Sequence, residues 1–369
     1  MSGPAPPVDV GPRAVEDEEG AGATLRGVLA RARRSPRRIV LPEGGDERIV
    51  AGALRAARAG LARPVLLGDP VTIGARLAAL GADEPAIDIV DPAGSEHLAR
   101  YARRYHELRA PKGMDAERAR REMTDPMRHA AMMVREGDAD GTVGGAVATT
   151  AETVRAAFQI IGRAPGVELV SSFMLMLGGP ASPSPDATML FADCALAIEP
   201  DAPALAQIAL STADSCRALL GEEARVAFLS FSTAGSARHE RVDFVRDAHD
   251  LARAARPDLA IDGELQFDAA VAPDVAARKA PHSVLGGRAN VCIFPSLEAG
   301  NIGYKIAQRL GGFLAIGPVL QGLAKPANDL SRGCSVDDVV LLIAMTGLQA
   351  ASSVDSTERN DALRPAGNT

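Results

Sequence analysis

Apolar and polar residues along this chain follow two periods, one typical of buried strands and one typical of amphipathic helices. Compact apolar runs occur at residues 37–43, 63–69, 86–91 and 140–145. Stretches with the helical period follow around residues 46–59, 70–80, 95–108 and 149–161. A further helix is predicted from Pro126 to Val134, because Thr124 and Asp125 place an N-cap before a first-turn proline. This alternation predicts a mostly parallel sheet with helices on both faces.

The middle third of the chain departs from this order. Two apolar runs, 168–177 and 187–196, flank the turn sequence GGPASPSPD. This pattern predicts a hairpin and therefore a partly antiparallel sheet. Alternation then resumes, with helices around 203–219 and 239–255 and apolar runs at 225–232, 259–266, 290–296 and 312–318.

A helix lies between the last two apolar runs, and its Ile302, Ile306 and Leu310 fall on one stripe. We expect that stripe to be buried. Asn301, Tyr304 and Lys305 lie elsewhere around this helix. They form either a polar outer face or part of a site.

The pattern as a whole predicts an α/β protein with two domains, each a mostly parallel sheet flanked by helices. Residues 23–165 and 318–355 are predicted to form domain I. Residues 166–317 are predicted to form domain II, with a partly antiparallel sheet. Residues 1–22 are rich in proline, glycine and acids and predict a disordered lead-in, and the polar residues 356–369 predict a frayed end.

Composition excludes several classes of function. The chain has 369 residues, of which 3% are aromatic, and a net charge of −7. Single-stranded nucleic-acid binding relies on aromatic faces and polyanion binding on excess positive charge, so neither is favoured. The sequence has no apolar run of membrane-spanning length and no signal-peptide core. The four scattered cysteines form no CxxC pair, so we predict a cytoplasmic protein with free thiols and no membrane association.

Common cofactor and catalytic motifs are absent. The chain contains no GxGxxG after its first strand, no GxxxxGK[ST], no HExxH and no GxSxG. Its six histidines show no metal-ligand spacing. These absences argue against dinucleotide, P-loop and zinc-protease chemistry.

The segment from Gly317 to Asp338 carries the strongest functional signal. It is rich in glycine, places Ser331 beside Arg332, and leads into an apolar helix that begins near Val336. Glycines and a fixed cation before a helix N-terminus favour an anion. An arginine can hold a phosphate or carboxylate in a bidentate way.

The acids of this segment also have a purely structural explanation. Ser335 and Asp338 have the spacing of a capping box, and an acid in the first turn complements the helix dipole. That explanation does not account for Ser331 and Arg332, which precede the cap.

Three other segments could bind an anion, and each also has a simpler structural explanation. Residues 144–155 combine a possible Thr149–Glu152 capping box with Arg155. Residues 102–114 are rich in arginine, as a solvated helix face would be. Residues 230–242 run from a strand through small residues into a helix.

Seven segments together resemble the phosphate acetyltransferases of the phosphate acetyl/butyryl transferase family, and they span residues 38 to 350 approximately. The segments are LPEGGDERI (41–49), KGM (112–114), TTAETVR (149–155), FADCA (191–195), GELQFDAA (263–270), FPSLEAGNIGYKIAQRLG (294–311) and GPVLQGLAKPANDLSRGCS (317–335). The resemblance implies a short form without the N-terminal regulatory domains of longer members.

The resemblance also implies a reaction and an architecture. The reaction is reversible acetyl transfer between acetyl phosphate and coenzyme A, with CoA as a substrate and no metal or redox cofactor. The fold is two α/β domains with the active site in the cleft between them, an arrangement similar to isocitrate and isopropylmalate dehydrogenases. The expected assembly is a homodimer that binds small molecules and no nucleic acid.

Site residues carried over by the resemblance fall into two groups. Asp338 matches the base that takes the CoA thiol proton, Arg332 the phosphoryl ligand and Ser331 the residue that stabilises the transition state. The matching substrate-binding residues are Arg109, Arg155, Arg48, Thr150, Asn301, Tyr304 and Lys305. A base is useful because a free thiol with a pKa near 8.5 is mostly protonated at neutral pH.

Three alternatives remain open from the sequence. A phosphate butyryltransferase would use the same mechanism with a larger acyl pocket. A non-catalytic domain that senses CoA or acetyl phosphate would not need Ser331, Arg332 and Asp338 together. A decarboxylating dehydrogenase of similar shape would need the nucleotide and metal signatures that the chain lacks.

Overall fold

The computed structural model describes residues 22–82, 87–179, 182, 184 and 186–362, with side chains as far as residue 352. The predicted disordered lead-in lies outside the described residues except for Gly22. Of the predicted frayed end, residues 356–362 continue the last helix and the remainder lies outside them.

The described strands and helices follow the predicted alternation. The strands are β1 (Arg37–Leu41), β2 (Ala62–Leu67), β3 (Asp88–Val90), β4 (Gly141–Gly144), β5 (Ser171–Gly178), β6 (Thr188–Ala192), β7 (Arg225–Leu229), β8 (Ala260–Leu265), β9 (Val291–Ile293), β10 (Phe313–Gln321) and β11 (Ala327–Asp329). The helices are α1 (Ala23–Arg34), α2 (Glu47–Arg58), α3 (Pro70–Ala79), α4 (Leu98–Arg109), α5 (Ala116–Glu122), α6 (Pro126–Glu136), α7 (Thr150–Ala156), α8 (Ala202–Leu220), α9 (Glu240–Ala255), α10 (Phe267–Val271), α11 (Pro273–Lys279), α12 (Leu297–Arg309) and α13 (Val336–Ala362).

The chain divides into two compact units. Among the described residues, Leu29–Gly162 and residues 325–362 form the first, and Gly22–Val28 with Arg163–Ala324 form the second. The predicted boundary between residues 317 and 318 requires correction, because it falls inside β10. That strand pairs with β5 on both sides of the boundary, so residues 318–324 stay in the second unit. The assignment of the units as separate domains remains a prediction.

The sheet of the first unit is entirely parallel, in the order β11-β4-β1-β2-β3. Because β1, β4 and β11 are neighbours and run in one direction, the segments that follow them begin at the same edge of the sheet. Those segments are residues 42–47, 145–149 and 330–335.

Helix α13 is the central helix of the first unit. Its residues 339–345 are all buried, as expected for a helix that is apolar around its whole circumference. It packs on β1, β4 and α2. A Cβ at Gly52 in α2 would lie 2.5 Å from Val339 Cγ1, so only glycine permits this close helix contact. The contact fixes the first turn of α13, which carries Asp338.

The second unit contains a mixed six-stranded sheet in the order β10-β5-β6-β9-β7-β8. The predicted hairpin of β5 and β6 is antiparallel, and β10 adds to β5 in the same way. The other neighbours, β6-β9, β9-β7 and β7-β8, are parallel. The core on one part of this sheet includes Met174, Met176, Phe191, Leu265 and Cys292.

The predicted buried stripe of α12 was wrong. Ile302, Ile306 and Leu310 are 56%, 54% and 85% exposed. The helix instead packs through Gly300, Gly303, Tyr304 and Ala307, since Tyr304 and Ala307 contact the core and Gly303 lies against Phe294. A Cβ at Gly300 would lie 2.2 Å from the Asp193 carbonyl oxygen, so the glycines allow this face of α12 to lie close to the underlying chain.

Candidate active site

Asp338 lies in the first turn of α13 and forms a capping box with Ser335. Its Oδ2 accepts hydrogen bonds from Ser335 N (2.8 Å) and Ser335 Oγ (2.9 Å). The Asp338 N–H donates to Ser335 Oγ at 3.2 Å. The neighbouring Asp337 pairs with Arg55 of α2 at 2.7 Å. The start of α13 is therefore held by its own cap and by α2.

Ser331 and Arg332 lie in the turn that precedes this cap. Both side chains are exposed. The turn is closed by Cys334 N, which donates to Ser331 O (2.9 Å), and by Gly333 N, which donates to Ser331 Oγ (3.2 Å). An exposed guanidinium on a hydrogen-bonded turn can reach a phosphate without first breaking an internal ion pair.

Arg48 contacts the protein with all five of its N–H donors. Nε and Nη2 bond to the Asp46 carboxylate (3.1 and 2.9 Å), and Nη2 also donates to Ala146 O (2.9 Å). Nη1 donates to Arg332 O (2.8 Å) and Cys334 O (3.1 Å). The hydrogen bond to Asp46 is the main cause that raises the pKa of Arg48. The structure thus joins Arg48 to the Ser331–Cys334 turn through the main chain.

Glu43, two residues beyond the end of β1, holds the loop that follows β4. Its Oε2 accepts from the N–H groups of Gly145 (2.9 Å) and Ala146 (2.8 Å). Its Oε1 accepts from Val147 (3.0 Å) and Ala148 (2.7 Å). These N–H groups therefore donate to a carboxylate of the protein itself. The sequence alone had suggested this segment as a site for an external anion.

Helix α7 begins with the predicted Thr149–Glu152 capping box. Thr149 Oγ1 accepts from Glu152 N (3.3 Å), and the Glu152 carboxylate accepts from Thr149 N (2.8 Å). Thr150 does not belong to the cap. Its hydroxyl donates to Asp329 Oδ2 at 2.6 Å, which links α7 to the end of β11.

Asp329 is a buried acid at the edge where β11, β4 and β1 end. It is 1% exposed, and its Oδ1 has no hydrogen-bond partner among the residues that the structure describes. Burial raises the pKa of Asp329 to about 6, and the nearby Glu43 charge adds to the increase against the effect of the Thr150 hydroxyl. A Cβ at Gly145 would lie 2.2 Å from this Oδ1, so glycine is required there.

Arg155 is exposed on α7 and lines a cavity of about 720 Å³ in the first unit. No ion pair to Arg155 occurs within the described ranges. Arg128 lines the same cavity but pairs with Glu122 (3.4 Å) and Asp125 (3.3 Å). The cavity therefore presents one arginine that is available to an anionic ligand.

The other lining residues come from the same edge of the sheet and from α6 and α7. They are Pro42, Glu43, Gly45, Asp46, Asp125, Pro126, Met127, Val147, Ala148, Glu152 and Ala156. Ser331, Arg332 and Asp338 are not among them. They are joined to this region through Arg48, whose contacts reach both Ala146 and Arg332.

Arg109 lies at the end of α4. Its Nε is buried and has no hydrogen-bond partner in the described part of the chain. Elsewhere in the arginine-rich run, Arg104 pairs with Glu107 (2.9 Å) and Glu136 (3.4 Å). The run is therefore partly a paired helix surface. A substrate role for Arg109 remains a prediction.

The three predicted residues of α12 belong to the second unit. Asn301 Nδ2 donates to Cys194 O (3.0 Å), and Lys305 Nζ donates to Asn301 Oδ1 (3.0 Å). The Lys305 ammonium also lies 5.6 Å from the Tyr304 ring centre. The ring itself is packed against the core, and burial raises the pKa of Tyr304. These contacts favour a structural role for Tyr304, and substrate binding by the three residues remains a prediction.

The segment 230–242 is organised around an internal acid. Glu264 is 2% exposed and accepts from Ser232 Oγ and Gly235 N, both at 2.8 Å. Arg246 pairs with its Oε2 at 2.6 Å. The hydrogen-bond donors of this segment, like those of the loop held by Glu43, bind a carboxylate of the protein itself. The sequence had suggested that they could bind an external anion.

Lys325, in the Gly317–Asp338 segment, contacts the end of α6. Its ammonium donates to the carbonyl oxygens of Val134 (2.8 Å) and Arg135 (3.2 Å). These carbonyls lie at the end of α6, where a cation complements the helix dipole. We therefore assign Lys325 a capping role.

The described residues meet the requirements of neither a metal site nor a reactive thiol. They contain no set of three or more His, Cys, Asp or Glu residues placed to hold a metal ion. All four cysteines are free and buried. Burial raises the pKa of Cys216 and Cys292 to about 12. No helix within the described residues has the length and apolar character needed to cross a bilayer.

Comparison with known proteins decides the family. A model of the phosphate acetyl/butaryl transferase family matches residues 23–347. The chain belongs to this family. A phosphate acetyltransferase of Paracoccus denitrificans is 58% identical over 86% of this chain and 96% of its own length. One from Thermoanaerobacterium thermosaccharolyticum is 48% identical over 88% and 99%.

A solved structure supports the same family assignment. The EutD phosphotransacetylase from Staphylococcus aureus has a TM-score of 0.81 and 42% identity, covering 88% of this chain and 99% of that one. The fold predicted from the sequence, two mostly parallel α/β sheets flanked by helices, is confirmed.

Within this family assignment, two residues at the sheet edge were missed from the sequence. Glu43 lies in the LPEGG segment, where its position at the end of the first predicted strand was the available signal. Asp329 is the last of only three polar or small residues in β11, so this strand had no apolar pattern by which to predict it. Both residues contact the elements that carry the predicted site.

Proposed function

We propose that the protein catalyses reversible acetyl transfer between acetyl phosphate and coenzyme A. The observation that carries this proposal is the exposed Ser331–Arg332 turn directly before the capped first turn of α13, with Asp338 in it. The relatives that match nearly the whole chain and are named phosphate acetyltransferases support the same activity.

The proposed chemistry is direct attack within a ternary complex. Asp338 takes the proton of the CoA thiol, and the sulfur attacks the carbonyl carbon of acetyl phosphate. The bond between that carbon and the bridging oxygen then breaks, and inorganic phosphate leaves. Arg332 neutralises the phosphoryl group, while Ser331 donates to the charge that develops on oxygen. No covalent enzyme intermediate is required.

The structure supports the other predicted substrate-binding residues to different degrees. Arg155 is the best supported, because its exposed guanidinium lines the cavity of the first unit. Thr150 donates its hydroxyl to Asp329, so it can offer a substrate only an acceptor oxygen. We propose phosphate binding by Arg155 and Arg109, and we keep Asn301 and Lys305 as candidate ligands in the second unit.

We also propose a cytoplasmic homodimer. The exposed apolar stripe of α12, formed by Ile302, Ile306 and Leu310, supports self-association, because contiguous apolar surface marks protein contacts. Free cysteines are consistent with a reducing compartment.

The deciding experiment mixes purified protein with acetyl phosphate and CoA and measures acetyl-CoA by its thioester absorbance and by mass spectrometry. We expect turnover that saturates with both substrates. Butyryl phosphate in a parallel assay determines the acyl preference, with a higher kcat/KM for the acetyl donor expected. Absence of acetyl-CoA at saturating substrates would refute the proposed acetyl transfer, and absence of both acetyl-CoA and butyryl-CoA would leave the sensing domain.

A further inference from the structure

The segment after β1 supplies two charged side chains that hold the two other loops at the same sheet edge. Glu43 and Arg48 are five residues apart in the LPEGGDER sequence. Glu43 binds the loop at residues 145–148 by its N–H groups, and Arg48 binds Ala146 by its carbonyl oxygen. Ala146 is therefore bonded on both sides of its backbone by this one segment.

Arg48 extends the same network to the catalytic turn. Its Nη1 donates to the carbonyl oxygens of Arg332 and Cys334. The Arg332 side chain remains exposed, so the main chain of the phosphoryl ligand is fixed while its guanidinium is available. The relay from Glu43 through Ala146 and Arg48 to Arg332 consists of hydrogen bonds between 2.8 and 2.9 Å.

The hydrogen bonds of Arg48 leave no donor free for a substrate phosphate. A guanidinium has five N–H donors, and five oxygens accept from Arg48: two of Asp46 and one each of Ala146, Arg332 and Cys334. The Asp46 carboxylate also neutralises its charge at 2.9 Å. A phosphate could bind Arg48 only by displacing contacts that shape the site.

We propose that Arg48 and Glu43 are positioning residues for acyl transfer, setting the place of the Ser331–Arg332 turn relative to the loop that leads into α7. This inference rests on the proposed function. It replaces the substrate binding predicted for Arg48 by an indirect action through the main chain of Arg332.

Substituting Arg48 by lysine separates the two roles, because lysine keeps the charge and lacks the planar fork. A displacement of about 1 Å at a reacting group can lower the rate by roughly 100-fold. We therefore expect Arg48→Lys to lower kcat by about that factor. We expect the KM values for CoA and acetyl phosphate to stay within about threefold of the wild-type values, because a positioning residue does not bind either substrate. Arg118→Lys, an exposed arginine paired with Glu122, is the control and should retain wild-type kinetics.

A truncated substrate tests direct contact. Dephospho-CoA lacks one phosphate, so a residue that binds this phosphate should lose its effect when the truncated substrate is used. We expect Arg48→Lys to lower kcat equally with CoA and dephospho-CoA. A raised KM for CoA with unchanged kcat, or a defect that disappears with dephospho-CoA, would overturn the positioning role. Wild-type kinetics in Arg48→Lys would overturn it as well.

Glu43→Gln tests the other end of the relay, since an amide can accept with only one of its two terminal atoms. We expect a lower kcat in this variant and a double variant with Arg48→Lys that is less than additive, because both act on one loop. Full additivity would contradict a shared network. Urea unfolding of each variant establishes the folded fraction to which kcat is normalised.

Hydrogen exchange supplies a readout that does not need the reaction. In Arg48→Lys we expect faster amide exchange at residues 331–334 and 145–148, with the core of α13 unchanged. If wild-type protein makes no acetyl-CoA but these amides respond as expected, the proposed function fails and the relay stands. Unchanged exchange in both segments would refute the relay whatever the activity.

Discussion

Ser335 and Asp338 hydrogen-bond to each other in both directions. The Asp338 carboxylate accepts from the amide and hydroxyl of Ser335, and the Ser335 hydroxyl accepts from the Asp338 amide. Both hydrogen bonds to the carboxylate converge on Oδ2. The cap therefore fixes the orientation of the group that we propose as the base and leaves Oδ1 for the thiol proton.

Replacing Asp338 by asparagine separates the two functions of this side chain. An amide oxygen can still accept from Ser335, so the cap survives, whereas the basic carboxylate is gone. General-base assistance contributes about 10²–10⁴-fold, so we expect kcat to fall by that range. We expect the free energy of unfolding to change by less than about 1 kcal/mol. Steady-state kinetics and urea unfolding measure the two effects.

Ser335→Ala is the matched variant, because it removes the hydroxyl of the cap and keeps the carboxylate. We expect it to lower stability by about 1 kcal/mol and to reduce kcat much less than Asp338→Asn does. If Asp338→Asn unfolds the protein while activity per folded molecule is preserved, Asp338 is only a cap.

The raised pKa of Asp329 predicts how stability depends on pH. With this pKa the carboxyl is mostly neutral in the folded protein below about pH 6, whereas in the unfolded chain it ionises near its ordinary pKa of 3.8. The folded state therefore holds this proton more tightly, and stability falls as pH rises from about 4 to 6. The difference of about two units corresponds to about 3 kcal/mol, and the loss is complete above pH 6.

Asp329→Asn should remove this dependence while its amide oxygen still accepts from Thr150. We expect the variant to be more stable than wild type above pH 6, by up to about 3 kcal/mol, and nearly equal to it near pH 4. Urea unfolding of both proteins from pH 4 to pH 8 gives the difference between their free energies of unfolding. Groups that titrate alike in the two proteins do not contribute to this difference. A difference that does not vary with pH would contradict the proposed buried, protonated acid.

Arg155→Gln tests the cavity of the first unit. A hydrogen bond to a charged group contributes about 1.5–3 kcal/mol, so we expect the KM for CoA or acetyl phosphate to rise by roughly 10- to 100-fold. The matched variant is Arg128→Gln, which removes an arginine of the same cavity that already pairs with Glu122 and Asp125. Equal effects of the two variants on KM would contradict a specific role of Arg155 in binding the substrate.

The sequence predicted the strands of the first unit well because four of them are compact apolar runs. It did not predict β11, whose three residues include Asn328 and Asp329 and are buried through hydrogen bonds instead of apolar packing. Without β11, the neighbouring positions of residues 43, 145 and 330 at one sheet edge could not be inferred, since strand order depends on pairing between distant segments.

Arg48 and the α12 stripe show two further limits of sequence patterns. An arginine that binds phosphate and one that binds main-chain carbonyls have the same side chain, so the motif around Arg48 could not separate these roles. The isoleucines of α12 have the period of a buried stripe, yet Gly300 and Gly303 permit a closer approach on another face. Close packing through glycines overrides the apolar period in this helix.

The exposed stripe of α12 finally predicts the effect of charge on assembly. If the protein forms a homodimer through this stripe, a double substitution Ile306→Glu and Leu310→Glu should place like charges in a dry contact and release monomers. Val71→Glu, at a valine 79% exposed on α3, is the matched control and should leave the mass unchanged. Sedimentation equilibrium over a range of concentrations measures the masses. Dimers that persist in the double variant would exclude the stripe as the contact, and monomeric wild-type protein would exclude the homodimer itself.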